Sequence, residues 1–526
     1  MVAKATVAKV LKTLDESIIE VMNKYTLPGL ALGVIHNGEL VYAKGFGMAD
    51  IEGEKEVSAD TVFRIGSISK TFTTIGLLQL WEQGKFDLDD PVNEYLKTYQ
   101  VLHDDPDAPP VTFRHMLTHT SGIGETRNIF SVFKSLIGKL EIAAEPDEPV
   151  APLGEFYDGR LRAEIYPGEK WAYANHAYAT LGQLIEDISG QPFEEYMIEH
   201  VFEPLGMKYT DYLLSERVMS EFAQGYNFKK GVFKPVPYQR IIIGAAGSIF
   251  SSVNEMAKYA AAIMNGGENE HGRVLKAETL NVMMESQLDI DPRVFDMGLT
   301  FWLEYFDKHL VVEHGGGWPG FISAFRVAPK DGLGVVAFTN CMSLAPDVLS
   351  KDIMYQLLGV PNPAENIPAP DIMKDVHNWP ALCGFYGPKP GFLTNARHWV
   401  GSGGELEVHV NKENELALRS LAGQAAKGST LHRSDPGDPL IYQAVLKEGM
   451  AAGRVITVLF GKNDDGDVDR LTTLQNTFYK RPFQQSVKFR TFMLAGALAS
   501  LVLLLLGRKK MKKGASKDCK CKNCRC

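Results

Sequence analysis

The sequence predicts an α+β body, then a β-rich segment, then one apolar helix near the C-terminus. Three observations carry this. Apolar residues recur at helical spacing in several stretches, period-two alternation and a two-residue turn mark strands, and Thr491 to Gly507 runs seventeen residues without a charge. At 526 residues, 45% hydrophobic and 23% charged, the chain can bury large cores and divide into two domains.

From the N-terminus, Val10, Leu14, Ile18 and Met22 fall on one helical face within Met1 to Tyr25, with Lys, Asp and Glu between them. Leu32 to Ile35 and Leu40 to Ala43 flank Asn37-Gly38, a pair suited to a tight hairpin turn. An apolar helix runs from Thr71 to Trp81, and Gly84 closes it. Further helical patterns cover Asn175–Ile188 and Val253–Met264, and strand patterns cover Ile322–Val327 and Gly334–Asn340. Between Gly122 and Tyr166 the chain turns irregular, which reads as a recognition loop over a site or as a solvated insertion.

Pro361-Asn362-Pro363 and Pro368-Ala369-Pro370 mark a linker, placed at 361–380 between a first domain at 1–360 and a β-rich domain at 381–485. In the latter, Leu406, Val408 and Val410 alternate with Glu405, Glu407 and His409, while Val455 to Phe460 and Leu471 to Leu474 add strands. Asn463-Asp464-Asp465-Gly466-Asp467 superficially resembles a calcium loop, but Gly461 and Thr472 stand where that pattern needs ligands, so a β-turn is expected. A transmembrane helix is expected at 489–507, since seventeen residues span about 26 Å at ~1.5 Å each and flanking basic side chains can snorkel. A basic tail at 508–526 follows.

The chemistry sits in three short motifs. In Ser67-Ile68-Ser69-Lys70, a serine and a lysine three apart share a helix face, so an amine can lie beside the hydroxyl. Serine is a weak nucleophile until a neighbouring base takes its proton, and a lysine with a tyrosine can serve without histidine. Tyr173-Ala174-Asn175 supplies that tyrosine and an amide, and His314-Gly315-Gly316 a glycine-rich strand whose N–H groups could face an oxyanion. Ser131-Val132-Phe133-Lys134 has the same spacing, but it lies in an irregular charged region with no helix start, and it reads as a chance match.

The order of the three motifs resembles the serine β-lactamase / penicillin-binding-protein superfamily, and in particular its class C-related esterases and D-aminopeptidases. The likeness extends through Phe63-Arg64-Ile65-Gly66, Met116-Leu117-Thr118-His119-Thr120-Ser121-Gly122, Tyr166-Pro167-Gly168-Glu169, Pro204-Leu205-Gly206-Met207 and Ala246-Gly247-Ser248, from about Ile18 to about Gly359. It implies an antiparallel sheet flanked by helices plus a helical subdomain. The β-rich segment resembles the lipocalin-like barrel often appended to such hydrolases.

The resemblance implies acyl transfer through an ester on Ser67. Lys70 and Tyr173 would share the base role, Asn175 would orient Lys70 and the acyl amide, and the N–H groups of Ser67 and Gly317 would hold the oxyanion. His314, Gly315, Gly316 and Gly317 would line the substrate site. This third motif departs from the family's K-T-G, with His314 for lysine and Gly315 for threonine, which weakens the case for β-lactams. A small-molecule ester or amide is the expected substrate, with β-lactams or transfer to another acceptor as alternatives. An inactive membrane-linked scaffold is the competing reading, and the intact Ser67, Lys70 and Tyr173 argue against it.

Other chemistries find little support. No G-x-S-x-G or H-E-x-x-H occurs, and His309 to Glu313-His314 has one residue too many for the inverted zinc motif. His115 and His119 have a zinc-compatible spacing without a third ligand, so neither metal nor cofactor is expected. The last nineteen residues hold nine Lys/Arg and one Asp, which leaves −17 of the chain's −9 total on residues 1–507. So acidic a body argues against a nucleic-acid partner.

Met1 to Tyr25 shows no export signal, so the expected arrangement is a body on the cytosolic side, held to an organelle membrane by a single C-terminal pass. Cys519, Cys521, Cys524 and Cys526 could be acylated there or bind soft metals, and Cys341 and Cys383 read as free thiols.

Overall fold

A computed structural model describes residues 2–128, 130, 131, 134, 139–363, 376–435, 437–447 and 453–493. The N-terminal helical pattern forms two helices, α1 (Lys4–Leu11) and α2 (Leu14–Tyr25), whose buried face carries Val7, Val10, Leu14 and Ile18. Strands β1 (Gly29–His36) and β2 (Glu39–Asp50) follow, joined at Asn37 and Gly38. Both turn residues have positive φ, 52° and 82°, the mirror-image turn that matches strand twist. A short β3 (Lys55–Glu56) completes this edge.

Helices α3 (Ser69–Glu82), α4 (Asn175–Ser189) and α5 (Val253–Met264) occupy the middle of the chain. The last five strands of the sheet form a meander: β4 (Asp296–Met297), β5 (Trp302–Phe306), β6 (His309–Trp318), β7 (Phe321–Ala328) and β8 (Leu333–Thr339) pair in sequence. The eight-stranded order is β4-β5-β6-β7-β8-β1-β2-β3, with the first hairpin closing against the last strand through Leu30↔Thr339 to His36↔Leu333.

Alternate residues of the central strands enter different cores. Leu30, Leu32 and Val34 pack with α1, α2 and the helix α6 (Ala345–Leu358), while Ala31 and Ile35 pack on the side of α3 and α5. A strand buried on both faces reads as a continuous apolar run, as Gly29–His36 does. Helix α3 is enclosed in the same way, with every residue from Ser69 to Leu78 buried.

The segment expected to be irregular carries local order. Ala143–Ala144 pairs with Arg240–Ile241, Leu153–Phe156 is helical, and Arg160–Ala163 runs parallel to Gln100–His103. Ser131 and Lys134 are themselves helical, which corrects the expectation of an irregular setting for the second S-x-x-K.

After α6 a second antiparallel sheet forms from β9 (Gly384–Pro388), then α7 (Ala396–Ser402), then β10 (Leu406–Val410), β11 (Leu416–Ser420), β12 (Ser429–Thr430) and β13 (His432–Arg433). It continues through β14 (Ile441–Val445), β15 (Val455–Lys462), β16 (Val468–Thr473) and β17 (Asn476–Arg481). The order β12-β11-β10-β9-β17-β16-β15-β14-β13 curls into a near-barrel around Tyr386, Leu418, Val458 and Leu471. Asn463 to Asp467 forms the expected turn, with Asn463 Oδ1 accepting from the N–H groups of Asp465 and Asp467.

Among the described residues no helix is long and apolar enough to cross a membrane. The span expected at 489–507 lies outside them from residue 494 onward, as do the tail and residues 364–375 of the linker.

Candidate active site

Ser67 sits in a tight turn, Gly66–Ile68, that leads directly into α3. Gly66 holds φ +53°, and a Cβ there would come within 2.5 Å of the Gly317 nitrogen. The turn is therefore pressed against β6. Gly316 is tighter still, since a Cβ there would lie 1.8 Å from the Ile65 carbonyl oxygen. Ser323 of β7 fixes the same point by donating its hydroxyl to Ile65 O at 2.7 Å. Glycine in the third motif is what allows strand and turn to touch.

Lys70, the second residue of α3, is fully buried and makes three hydrogen bonds: to Ser67 Oγ at 3.1 Å, Asn175 Oδ1 at 2.8 Å and the Ala246 carbonyl at 2.6 Å. Burial holds its pKa well below the ordinary lysine value, with Arg397 adding to the effect and Glu125 opposing it. Tyr173 lies beside it, its ring centroid 4.9 Å from Lys70 Nζ. Burial raises the Tyr173 phenol to about 12, while Arg397 and a hydrogen bond with Ser67 pull it down. Asn175 stands at the first position of α4, and so Lys70 is clasped between two helices.

Ser67, Tyr173, Asn175, Gly315, Gly316 and Gly317 all line one cavity of about 380 Å³. Ile142, Ile241, Ile243, Trp318, Ile322 and Leu344 supply its apolar wall. Six of the eight residues expected here from sequence thus meet at one surface, and Lys70 lies just beneath it. His314 is placed differently. It is buried below the strand, stacked on Trp302 with ring centroids 5.0 Å apart, and its Nδ1 lies 2.6 Å from Gly315 O. Burial and the nearby Lys70 push its pKa down to about 3, so the ring carries no charge near neutral pH.

The second S-x-x-K is elsewhere: Ser131 hydrogen-bonds Glu141 and Asn128, and Lys134 is exposed. The histidine pair separates in role too. His115 closes a capping box with Thr112, whereas His119 stacks on Tyr173 at 4.2 Å and accepts the Ala174 N–H at 3.1 Å on Nδ1.

Sequence reasoning missed four participants. His119 stands in a segment that carries the family likeness and at a zinc-compatible spacing from His115, neither of which points to Tyr173, and Ala246 offers a backbone carbonyl that no residue type signals. Arg397 of α7 lays its guanidinium 4.3 Å from the Tyr173 ring centroid and pairs with Glu125 through two contacts. Arg454, just before β15, lines the cavity from the opposite end of the second sheet. Both arginines lie far downstream of every motif, where nothing in the chain links them to Ser67.

Esterase EstB of Burkholderia gladioli is 30% identical over 211 residues, covering 40% of this chain and 53% of EstB. The serine beta-lactamase-like protein LACTB, mitochondrial, of Homo sapiens is 25% identical over 341 residues, covering 52% of this chain and 62% of LACTB. The chain spans about 60% of the length of the curated relatives it matches. Among solved structures, the octameric penicillin-binding protein homologue from Pyrococcus abyssi aligns with a TM-score of 0.59 at 25% identity, over 89% of this chain and 100% of that one. That likeness extends beyond α6 into the second sheet. The beta-lactamase family model matches residues 14–358, the stretch from α2 to the end of α6 that carries all three motifs, and the chain belongs to that family.

Proposed function

We propose that the protein is a serine hydrolase that cleaves small esters or amides through a covalent acyl-Ser67 intermediate. One observation carries this reading: a buried lysine, depressed in pKa, donates to Ser67 Oγ at 3.1 Å on the wall of the cavity. A lysine so placed gives up its ammonium proton more readily than a free one, and as the amine it can accept a proton. Ser67 Oγ attacks the carbonyl carbon, and its proton passes to the Lys70–Tyr173 pair. The N–H groups of Ser67 and Gly317 hold the oxyanion. Tyr173 returns the proton to the leaving alcohol or amine as the carbonyl–heteroatom bond breaks. Water then attacks the acyl ester by the same route, releasing acid and free Ser67.

The apolar wall fits an acyl or leaving group with hydrocarbon character. Transfer to an acceptor other than water, or opening of a β-lactam, would use the same acyl-enzyme. This reading divides the chain into a catalytic domain at 1–360 and a β-rich domain at 381–485. It also holds the protein to a membrane through 489–507; ending the chain after Met493 should then move it from the membrane pellet to the soluble fraction.

The test of the chemistry is intact-mass spectrometry after exposure to a fluorophosphonate. One adduct is expected on the parent chain and on Ser131→Ala, and none on Ser67→Ala. An adduct that persists on folded Ser67→Ala would overturn the proposal.

A further inference from the structure

Three charged side chains line the cavity beside Ser67: Arg397, Asp347 and Arg454. Two are already partnered. Arg397 is held by Glu125 through its Nε and a terminal nitrogen, and Asp347 accepts a hydrogen bond from Arg326, a fully buried guanidinium that also pairs with Glu313. Arg454 has no hydrogen-bonded or ion-paired side-chain partner among the described residues, although its charge helps to hold the Asp347 carboxyl below its usual range. Its main chain is tied down, with its carbonyl accepting Leu446 N–H at 3.0 Å at the base of the β14–β15 hairpin. Among the described residues, the open charge in this cavity is therefore positive and sits on a main chain that is held in place.

The strand that faces Ser67 offers no cation of its own. His314, where the family has lysine, is buried and stacked on Trp302. A partly exposed guanidinium in a walled cavity, whose five N–H donors meet no side-chain acceptor among the described residues, is a recognition group for a planar anion.

We propose that Arg454, delivered by the second sheet, pairs with a carboxylate on the substrate, so that the ester or amide cleaved at Ser67 carries an anionic group near the scissile bond. The inference rests on the reading of Ser67 as the acylated residue, and it narrows the substrate class. The cation absent from the third motif is restored in space by a residue more than a hundred positions downstream. The acidic surface charge of the body would then be overcome locally, by one guanidinium at short range.

The experiment separates the two claims by using a chain that cannot turn over. Full-length Ser67→Ala protein is titrated calorimetrically with hippurate and, separately, with hippuramide, which differ only in the carboxylate. Hippurate should bind about ten- to a hundred-fold more tightly, the range of a charge-assisted hydrogen-bonded pair. Adding Arg454→Met should bring the two dissociation constants together, and Arg454→Lys should keep part of the difference. Circular dichroism of each variant checks the fold. As a second measure, the ratio of kcat/KM for the p-nitrophenyl half-ester of glutarate over p-nitrophenyl butyrate should fall by a similar factor in Arg454→Met. Equal affinities for hippurate and hippuramide, or a preference that survives Arg454→Met, would overturn the inference. Either result would leave fluorophosphonate labelling of Ser67, and with it the hydrolase reading, intact.

Discussion

At the scale of single residues, Lys70 is a charge-bearing group buried at a cost in desolvation. It buries an amine without a carboxylate beside it, and three neutral oxygens receive its protons. The sign of the resulting pH dependence follows from linkage. Its folded pKa lies below the unfolded value of ~10.4, so between those two the unfolded chain holds more protons and the parent gains stability as pH rises. Lys70→Met has no such titration. The difference in Tm between Lys70→Met and parent should therefore shift in the variant's favour as pH is lowered from 10 to 7, followed by thermal melts. Lys70→Arg keeps the positive charge and gives up deprotonation, so kcat on p-nitrophenyl butyrate should drop by about 10²–10⁴-fold. Tyr173→Phe removes only the hydroxyl, and a loss of the same ~10²–10⁴ order in kcat is expected with the melting curve unchanged. Parent-like kcat in either variant would rule out a proton-transfer role for that residue.

At the scale of elements, the decisive contact is between the turn before α3 and strand β6. A side chain at 316 cannot be accommodated by a rotamer change, because its Cβ would meet the backbone oxygen of Ile65 at 1.8 Å. Gly316→Ala should force turn and strand apart, at a cost of about 1–3 kcal/mol seen as a lowered denaturation midpoint. It should also lower kcat more than it raises KM, since the proposed oxyanion donors, the N–H groups of Ser67 and Gly317, flank this contact. Gly315→Ala is the control: its Cβ would meet only Ser323 O, at 3.7 Å, an ordinary contact. Its midpoint should stay near the parent's. Equal destabilisation by both substitutions would show that the close approach is not what selects glycine.

At the scale of the whole molecule, the chain beyond α6 reaches the site through Arg397 of α7. That guanidinium lies over Tyr173 and lowers the pKa of both Tyr173 and Lys70. Its loss should raise both, so the acid limb of the kcat/KM profile should move to higher pH in Arg397→Gln and stay near the parent's in Arg397→Lys. A chain ended at residue 363 keeps every motif but loses Arg397, and the same upward shift is expected of it. An acid limb that stays put in Arg397→Gln would mean that the arginine serves only the Glu125 contact. The match to a solved structure over 89% of this chain agrees with a second sheet that is built into the architecture.

Much of this was legible in the chain. Helical spacing, strand alternation and the Asn37-Gly38 turn report local backbone preferences and which face is buried, and those are properties of short windows. They placed α2, the β1–β2 hairpin, α4, α5, β7 and β8, although the N-terminal pattern divides into two helices. The three motifs named Ser67, Lys70, Tyr173 and Asn175 because the chemistry needs those residue types. Sequence context already favours Ser67 over Ser131, and tertiary structure adds that Ser67 lines the cavity with a lysine beneath it whereas Ser131 does not line it. Tertiary structure also decided the state of His314: its type allows a charge near neutral pH, but stacking on Trp302 in a buried layer removes it. Arg397 and Arg454 were invisible for the same reason. Charge acts through distance in space, and the fold sets that distance between residues hundreds of positions apart.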